Sequence, residues 1–347
     1  MKPQLGLKYW AAPLAGVAIV ASASTVRSDP GAPARAVKVL VVAATDAEAQ
    51  PWIDSLAMTD SVPVTGLRAG DPAVHCNSDD VCEVTTGIGK ANAVASVSAV
   101  VFGGPFDLSK TYFVVAGLAA IDPSQGTVGS AAWAGYVVDS ALAWEIDARS
   151  LPAGWTTGYL GIDTTSPTEK PNLQYGTEVY PIAAPLLQAA VALSKTATLE
   201  DDDGAKANRA LYSGGPATQP PAVVQCDATV ADTVWRGALL GTRARDWTSL
   251  LTDGKGSYCV SAREDSAAIT ALQRGGSAGL LDATRVLVLH AAATFDRPHA
   301  GQAPYELFVD PSAGGFPSAT KNLAIAGEPF VKDVVARWSQ WQAGVPQ

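Results

Sequence analysis

The amino-acid sequence predicts an α/β fold, in which a single domain contains a mixed central sheet covered by helices. Two observations predict it. First, several apolar runs have the length of a strand but lack the polar alternation of a half-exposed strand, which is typical of strands buried on both faces. Second, these runs alternate along the chain with segments of helical character, and the sequence shows no internal repeat. A chain of 347 residues is long enough for one large domain or two small ones.

The first half of the chain opens with the clearest strand. Residues 36–44 (AVKVLVVAA) form a continuous Val/Leu run, which indicates a parallel strand at the centre of the sheet. Residues 45–56 follow as a loop that opens a helix with acidic residues in its first turn. A strand, a glycine turn and a helix of small residues are predicted over 81–103. Further strands are predicted over 111–121 (TYFVVAGLAAI) and 129–147.

The second half continues the alternation. Helices are predicted over 184–197, 264–276 and 327–344, and strands within 220–232, 254–265 and 284–298. The helix over 264–276 ends in two glycines, a common stop signal. Residues 200–222 are polar and rich in Gly and Pro. We predict a long loop or insertion there rather than a domain boundary, because the alternation resumes on either side.

The N-terminus has the layout of a secretory signal peptide. Lys2 and Lys8 precede an uncharged stretch, which ends at the small residues Ala21-Ser22-Ala23. The uncharged stretch is too short to span a membrane comfortably, although an uncleaved membrane anchor is the alternative. We therefore predict a signal peptide over 1–23, a linker over 24–35 and the α/β domain over 36–347. The mature protein is expected to be soluble and exported, either periplasmic or secreted, with no direct membrane insertion.

The four cysteines fit an oxidising compartment. Cys76 and Cys82 bracket the turn-forming sequence NSDD, so a hairpin would bring the two sulfurs together as a disulfide. Cys226 and Cys259 would then pair by elimination. Buried free thiols are the alternative for each pair. We expect no metal site, because the sequence has no CxxC motif and only three histidines.

The charge balance excludes two classes of partner. The formal net charge is -9, and it becomes -11 without Lys2 and Lys8. An acidic protein with no basic cluster is a poor ligand for nucleic acids and for anionic membranes. The Gly87-Ile88-Gly89 turn does not complete the GxGxxG fingerprint of dinucleotide binding, and no P-loop, GxSxG or HExxH motif is present. No cofactor is therefore expected.

Polar residues gather where the predicted strands end. In α/β sheets, ligands bind beyond the carboxyl ends of the strands. The candidates at these ends are Asp46, Glu48, the 87–90 turn with Lys90, the loop from Gly117, Arg263, Glu264, Asp265, His290, Thr294, Asp296 and Arg297.

Several stretches of the sequence resemble the purine nucleoside permease family of bacteria and fungi. They include TYFVVAGLAAIDPSQGTVGSAAWAGYVVD, EIDARSLPAGWTTGYLGID, GKGSYCVSARED, FDRP and NLAIAGEPFVKDVVARWSQWQAGVP, and they cover nearly the whole mature chain. The family is in turn similar to nucleoside phosphorylases and methylthioadenosine nucleosidases. The resemblance implies a phosphorylase/nucleosidase-like fold and a purine nucleoside as ligand. Relatives of this fold often assemble, which implies a homo-oligomer.

The resemblance also implies roles for individual residues. Glu48 falls where the nucleosidases carry the glutamate that activates water, with Asp46 as a neighbour that could substitute. Glu264 falls where they bind the ribose 2′- and 3′-hydroxyls, and a carboxylate accepts well from two adjacent hydroxyls. Arg263 stands where many relatives have Met, and Asp265 is a second acceptor. An alternative for this segment is an Asp or Ser cap of the following helix.

The last strand departs from the nucleosidase pattern. His290 replaces an Arg, Ala293 replaces a Ser, and Thr294 replaces the acid that protonates N7 of the purine. A threonine hydroxyl donates a hydrogen bond but is not a strong acid near neutral pH. Asp296 could supply the acid, as could His290, or Asp296 could pair with Arg297 instead. Loss of a general acid typically costs about 10²–10⁴ in rate.

The loop after residue 116 lacks the residues with which related enzymes bind phosphate. Phosphorylases of this superfamily contact phosphate through an Arg before the glycine and a Ser after it, and here Val115 and Leu118 flank Gly117. The resemblance therefore implies that Gly117, Leu118 and Ala119 form a wall for the nucleoside. Lys90 is the remaining candidate cation, with a solvated lysine as the alternative. Phosphorolysis is disfavoured relative to hydrolysis or plain binding.

Three functions follow as expectations. The leading one is an exported purine-nucleoside-binding protein that hydrolyses the N-glycosidic bond and serves nucleoside uptake. The second is a capture protein for transport without turnover, as the family name implies. The third is a storage protein of the same fold. The base preference and the membrane partner do not follow from the sequence.

Overall fold

The computed structural model describes residues 34–309 and 314–346, which form an α/β fold as predicted. The signal peptide predicted over 1–23, and all of the predicted linker before Ala34, lie outside the described residues. The strands are β1 (Arg35–Ala36), β2 (Val39–Ala43), β3 (Asp60–Pro63), β4 (Ala73–Cys76), β5 (Val81–Thr85), β6 (Phe106–Asp107), β7 (Tyr112–Ile121), β8 (Ala131–Asp139), β9 (Trp144–Glu145), β10 (Tyr159–Leu160), β11 (Val179–Pro181), β12 (Val223–Val230), β13 (Tyr258–Ala262) and β14 (Val286–Phe295). The helices are α1 (Asp46–Ser55), α2 (Lys90–Gly103), α3 (Ala184–Ser194), α4 (Asp203–Arg209), α5 (Ala238–Leu251), α6 (Asp265–Ser277), α7 (Glu306–Val309), α8 (Phe316–Ala336) and α9 (Trp338–Trp341).

The central sheet is mixed. Its strands run in the order β11-β8-β12-β13-β7-β2-β5-β4-β3, and β14 pairs with β7 and β8. Strand β2 lies between β5 and β7, is parallel to both, and is buried along its whole length. The prediction of a central parallel strand in the first Val/Leu run is therefore confirmed. Apolar residues on both faces of such a strand are excluded from water by the helices that cover the sheet.

Part of the sheet closes on itself. Strand β7 pairs with β14, β14 with β8, β8 with β12, β12 with β13, and β13 returns to β7. Within this circuit the contacts β14–β8 and β13–β7 are antiparallel and the others are parallel. The closure leaves no free edge among these five strands and brings the ends of β7, β13 and β14 together.

An aromatic cluster anchors the long helix α8 on the sheet. Phe330 of α8 meets Tyr112 and Trp133 edge-on, with ring centroids 6.0 and 6.5 Å away, and Trp341 lies 5.4 Å from Phe330. All four side chains are buried, so each contributes a large apolar area to the core. Gly327 in α8 admits Trp52 of α1, since a Cβ at position 327 would come 2.0 Å from the indole ring.

Two predicted elements differ from the observed ones. The C-terminal helix begins at Phe316 rather than at residue 327, because Leu323, Ala324 and Ala326 extend its buried face towards the N-terminus. The polar segment 200–222 contains helix α4 in place of an unbroken loop. Asp202 caps that helix by accepting a hydrogen bond from the Ala205 N–H at 2.8 Å.

Both expected disulfides are present. Cys76 and Cys82 are directly opposite each other in the β4–β5 hairpin, and their Cα atoms lie 4.0 Å apart. Cys226 of β12 and Cys259 of β13 join neighbouring strands, with Cα atoms 5.8 Å apart. No helix within 34–309 and 314–346 combines the length and apolar composition that a membrane crossing requires.

Candidate functional site

A cavity of about 370 Å³ opens at the carboxyl ends of the parallel strands. That volume lies within the usual range for small-molecule sites, about 300–1,000 Å³. Its wall combines apolar residues with charged groups at the ends of β2, β7, β13 and β14 and in the segment after β12. The lining residues that carry polar side chains are Thr45, Glu48, Thr86, Thr233, Trp235, Arg236, Ser261, Arg263, Glu264, Asp265, His290 and Thr294.

Glu48 enters the cavity from the first turn of α1. Thr45 caps this helix, and its hydroxyl accepts from the Glu48 N–H at 3.3 Å and donates to Glu48 Oε2 at 2.8 Å. The Leu118 N–H donates to Glu48 Oε1 at 2.6 Å. The carboxylate is thus buried but held in one orientation. Asp46 lies two residues before Glu48 in the same turn of α1. It is exposed and pairs with Arg68, so it does not line the cavity.

Glu264 and Asp265 stand at the start of α6. Glu264 occupies the N-cap position, but its side chain makes no capping hydrogen bond, so the capping alternative is not what the structure shows. Burial, followed by the charges of Asp265 and Glu48, raises the pKa of Glu264 to about 7. Glu264 Oε2 is buried and has no hydrogen-bond partner among the described residues. Such an atom costs free energy unless a ligand supplies a donor.

His290 lies at the floor of the cavity between two acceptors. Its Nδ1 is 3.3 Å from the Gly117 carbonyl oxygen, and its Nε2 is 3.1 Å from Asp265 Oδ2. The second pair is close but not aligned for a hydrogen bond, and neither atom has another partner within the described parts of the chain. Burial opposes ionisation of this ring most strongly, but Asp265, the Gly117 carbonyl and Glu48 together outweigh burial, so the pKa of His290 is raised. We call Glu48, Glu264, Asp265 and His290 the cavity cluster.

The remaining predicted wall residues also line the cavity. Gly117, Leu118 and Ala119 of β7 lie on it, together with Arg263 at the end of β13 and Thr294 of β14. The Thr294 hydroxyl donates to the Phe295 carbonyl at 2.8 Å. A side chain at position 117 would meet Glu48 Oε1 at 3.4 Å, so a glycine leaves room beside that carboxylate.

Asp296 is placed elsewhere. It is fully buried, does not line the cavity, and binds Arg297 with both carboxylate oxygens, at 2.7 and 2.9 Å. The Tyr258 hydroxyl also donates to it at 2.8 Å. Arg297 in turn binds Asp122, which accepts from Arg245 as well. The alternative in which Asp296 pairs with Arg297 is therefore the one the structure shows. We call Asp122, Arg245, Tyr258, Asp296 and Arg297 the ionic cluster.

Lys90 is engaged rather than free. Its ammonium group pairs with Asp139, whose Oδ2 also accepts from the Ser266 hydroxyl at 2.8 Å. Lys90 does not line the cavity. The Leu118 N–H is likewise taken up by Glu48. Lys90 is therefore neither a cation that lines the cavity and could bind phosphate, nor a solvated lysine without a partner.

The segment between β12 and α5 also lines the cavity, although it was not predicted from the sequence. Thr233, Val234, Trp235 and Arg236 all line the cavity. The rule used for the other strands, that ligands lie beyond the carboxyl ends, applies to β12 as well and would have found them. Arg236 is notable because it places a second guanidinium, besides that of Arg263, on the cavity wall.

The sequence was compared with known families and proteins. The sequence profile of the family described as "Purine nucleoside permease (NUP)" matches residues 36–346. A purine nucleoside permease of Candida albicans is 32% identical over 308 residues, which covers 87% of this chain and 76% of the relative. A probable purine nucleoside permease of Schizosaccharomyces pombe is 32% identical over 316 residues, covering 88% and 90%.

Solved structures share the fold. A 5′-methylthioadenosine/S-adenosylhomocysteine nucleosidase of Neisseria meningitidis, in complex with methylthio-immucillin-A, superposes with a TM-score of 0.51 at 14% identity. The match covers 86% of this chain and 98% of that one. A nucleosidase of the same kind from Colwellia psychrerythraea 34H, in complex with adenine, gives 0.50 at 14% identity, covering 84% and 95%. At these identities the likeness concerns the fold alone.

Proposed function

This chain belongs to the purine nucleoside permease family, and from that premise we propose that it binds a purine nucleoside in the cavity described above and hydrolyses its N-glycosidic bond. The observation that carries the proposal is the convergence of Glu48, Glu264, Asp265 and His290 on one cavity from three separate stretches of the chain. A buried carboxyl with a shifted pKa in a cleft, as at Glu264, is typical of functional sites.

Glu264 binds the ribose in this proposal. Its buried Oε2 lacks a donor in the described structure, and adjacent sugar hydroxyls offer two. Asp265 lies one residue on, and its Oδ2 faces His290 Nε2 at 3.1 Å without an aligned hydrogen bond, so this oxygen can still accept from a ligand hydroxyl. A hydroxyl that donates to either oxygen removes the cost of leaving it unsatisfied.

Glu48 activates water. The Thr45 and Leu118 donors fix the orientation of its carboxylate, which suits a general base. The proton of the bound water moves to Glu48 as the water oxygen bonds to C1′ of the ribose. The C1′–N9 bond breaks, and the purine leaves with the bonding electron pair. The products are free ribose and the purine base, which takes up a proton from solvent while Glu48 releases to solvent the proton it accepted.

Binding without turnover is a second candidate, and one observation favours it. The position at which the nucleosidases carry an acid holds Thr294, whose hydroxyl donates to a backbone carbonyl. The nearest acid along the strand, Asp296, is bound within the ionic cluster. A protein that captures nucleoside for uptake would need Glu264 but not an acid at the base.

We also propose that the protein is exported. The predicted signal peptide motivates this, and the two disulfides support it, because disulfides persist in oxidising compartments. The homo-oligomer implied by the resemblance stays a prediction.

The test is to incubate the purified protein with inosine, guanosine and adenosine, with and without inorganic phosphate, and to measure the free base by chromatography. Calorimetry measures binding in parallel. We expect binding and a release of base that does not depend on phosphate. Glu48→Gln should remove release while binding remains, and the neighbouring Asp46→Asn should change neither. Binding without release would establish the capture protein, release that requires phosphate would refute hydrolysis, and no binding at all would refute both candidates.

A further inference from the structure

Arg236 is a guanidinium on the cavity wall that pairs with no acidic residue of the described chain. Its Nε is buried and makes no hydrogen bond within the described residues, and its terminal NH1 donates to the Trp235 carbonyl at 2.8 Å. No carboxylate of the described chain lies within 4.0 Å of it. Its guanidinium carbon lies 5.3 Å from the centre of the Phe308 ring, a cation–π contact. A largely buried charge of this kind is costly unless a ligand supplies an acceptor.

The position of Arg236 sets it apart from the cavity cluster. The Gly237 N–H donates to the Asp296 carbonyl at 2.9 Å, which fixes the segment beside the end of β14, where Thr294 stands. The Trp235 ring lies 6.3 Å from the ring of Tyr258, which itself donates to Asp296. Burial lowers the pKa of Arg236, and the charge of Asp296 opposes this shift. The guanidinium is therefore near the end of β14, whereas Glu264 holds the sugar at the start of α6.

Glu264, Thr294 and Arg236 line the same cavity, so a nucleoside whose sugar is bound by Glu264 has room for its base towards the end of β14. The edge of a purine that carries N7 distinguishes the two common classes. In 6-oxopurines both O6 and N7 accept hydrogen bonds, and arginine matches this pair with two donors. In adenine the 6-amino group is a donor, so its N–H would face an N–H of the guanidinium and no hydrogen bond would form. The side chain that matches adenine is a glutamine or an asparagine.

We propose that Arg236 selects 6-oxopurine nucleosides, such as inosine and guanosine, over adenosine. The proposal rests on the proposed function, because it needs a nucleoside in the cavity with its sugar at Glu264. A guanidinium at O6 and N7 also stabilises the negative charge that develops on the base as the C1′–N9 bond breaks. It supplies that stabilisation at the end of the cavity where the Thr294 hydroxyl cannot act as an acid.

The test is to measure the dissociation constants of inosine and adenosine by calorimetry for the wild-type protein, Arg236→Gln and a control. We expect the wild type to bind inosine about 10- to 100-fold more tightly than adenosine. Arg236→Gln should lose about that factor for inosine and keep or improve its affinity for adenosine. Arg274→Gln is the control, because Arg274 is an exposed residue of α6 without an ion pair in the described structure. It should leave both constants unchanged.

Three results would overturn the proposal. Equal affinities of the wild type for inosine and adenosine would do so, and this comparison stands even where Arg236→Gln does not fold. An equal loss of both affinities in Arg236→Gln would make the residue structural. Competition between inosine and inorganic phosphate that disappears in Arg236→Gln would make it an anion site. Failure of every nucleoside to bind the wild type would instead refute the proposed function on which the inference rests.

Discussion

The cavity cluster and the ionic cluster both bury carboxylates, yet they treat them differently. In the ionic cluster every carboxylate oxygen has a donor: Arg297 and Tyr258 bind Asp296, while Ser124, Arg245 and Arg297 bind Asp122. In the cavity cluster Glu264 Oε2 and Asp265 Oδ2 have no hydrogen bond among the described residues. The first group balances two carboxylates with two guanidinium groups, and the second sets three carboxylates against one imidazole.

This difference separates a structural role from a binding role. A buried polar atom without a partner costs about 1–3 kcal/mol, so a fold keeps few of them. Where such atoms face a cavity, a ligand recovers the cost on binding. Where all atoms are satisfied, as around Asp296, the group stabilises the fold and has no capacity left for a substrate. The comparison therefore assigns Glu264 to the ligand and Asp296 to the fold.

The largest effect is expected from Asp296. Asp296→Ala leaves Arg297 with only one of its two carboxylates, in a site where Asp296 is fully buried. Removing one partner of a buried pair is strongly destabilising, and we expect a loss of about 3 kcal/mol in the free energy of unfolding, measured by urea denaturation. The control is Asp253→Asn, because Asp253 pairs with Lys170 on the surface and such pairs contribute about 0–1 kcal/mol.

Full stability of Asp296→Ala combined with loss of base release would contradict the comparison. Asp296 would then act on the substrate, and the ionic cluster would belong to the active site.

A smaller effect is expected from Glu264, and on binding rather than on stability. Glu264→Gln should weaken inosine binding by about 10- to 100-fold, since an amide offers one acceptor in place of two. Stability should not fall, because Glu264 is not part of an ion pair in the described structure, its Oε2 has no hydrogen bond to lose, and burial of its charge opposes folding. Since the pKa of Glu264 is about 7, wild-type affinity should fall as the pH drops below 7, where the carboxyl is protonated, and level off above it. Calorimetry between pH 5.5 and 8.5 measures the profile.

The matched control for this profile is Glu169→Gln, at an exposed glutamate that does not line the cavity. It should keep the wild-type profile, whereas Glu264→Gln should show a flat one. A profile that survives in Glu264→Gln would assign the titration to another group of the cavity, such as His290.

Much of this arrangement could be predicted from the sequence, and the part that could not depends on long-range pairing. Buried strands and the residues at their ends follow from local patterns, as the placement of Glu48 and Glu264 shows. The closed circuit of strands does not follow from local patterns, because it joins strands that are far apart in the chain. These strands are β7, β14, β8, β12 and β13. The sides on which residues of β14 lie depend on a register shift between Ala292 and Thr294. Ala293 and Thr294, at this shift, both line the cavity, and no local pattern in the sequence marks the shift.

Glu83 is an unsatisfied buried carboxyl that lies outside the cavity, so it tests whether such oxygens always serve a ligand. It is fully buried in β5, and its Oε1 accepts from the Thr85 hydroxyl at 3.0 Å, but its Oε2 has no partner among the described residues and it does not line the cavity. Burial raises its pKa to about 8, so the carboxyl stays protonated at neutral pH. A neutral carboxyl costs much less to bury than a carboxylate, which is how an unsatisfied oxygen persists without a ligand.

The smallest effect is therefore expected from Glu83→Gln, and it appears in the pH dependence of stability. Because the folded pKa of about 8 exceeds the unfolded value near 4.5, the stability that the proton provides is complete below pH 4.5 and is lost as the pH rises to 8. Glu83→Gln should reduce this fall and be about 1–2 kcal/mol more stable than the wild type at pH 8, by urea denaturation. Inosine affinity should not change. A loss of inosine affinity in Glu83→Gln at unchanged stability would mean that a carboxyl outside the cavity also acts in binding. The position of a carboxyl relative to the cavity would then not separate a binding role from a structural one.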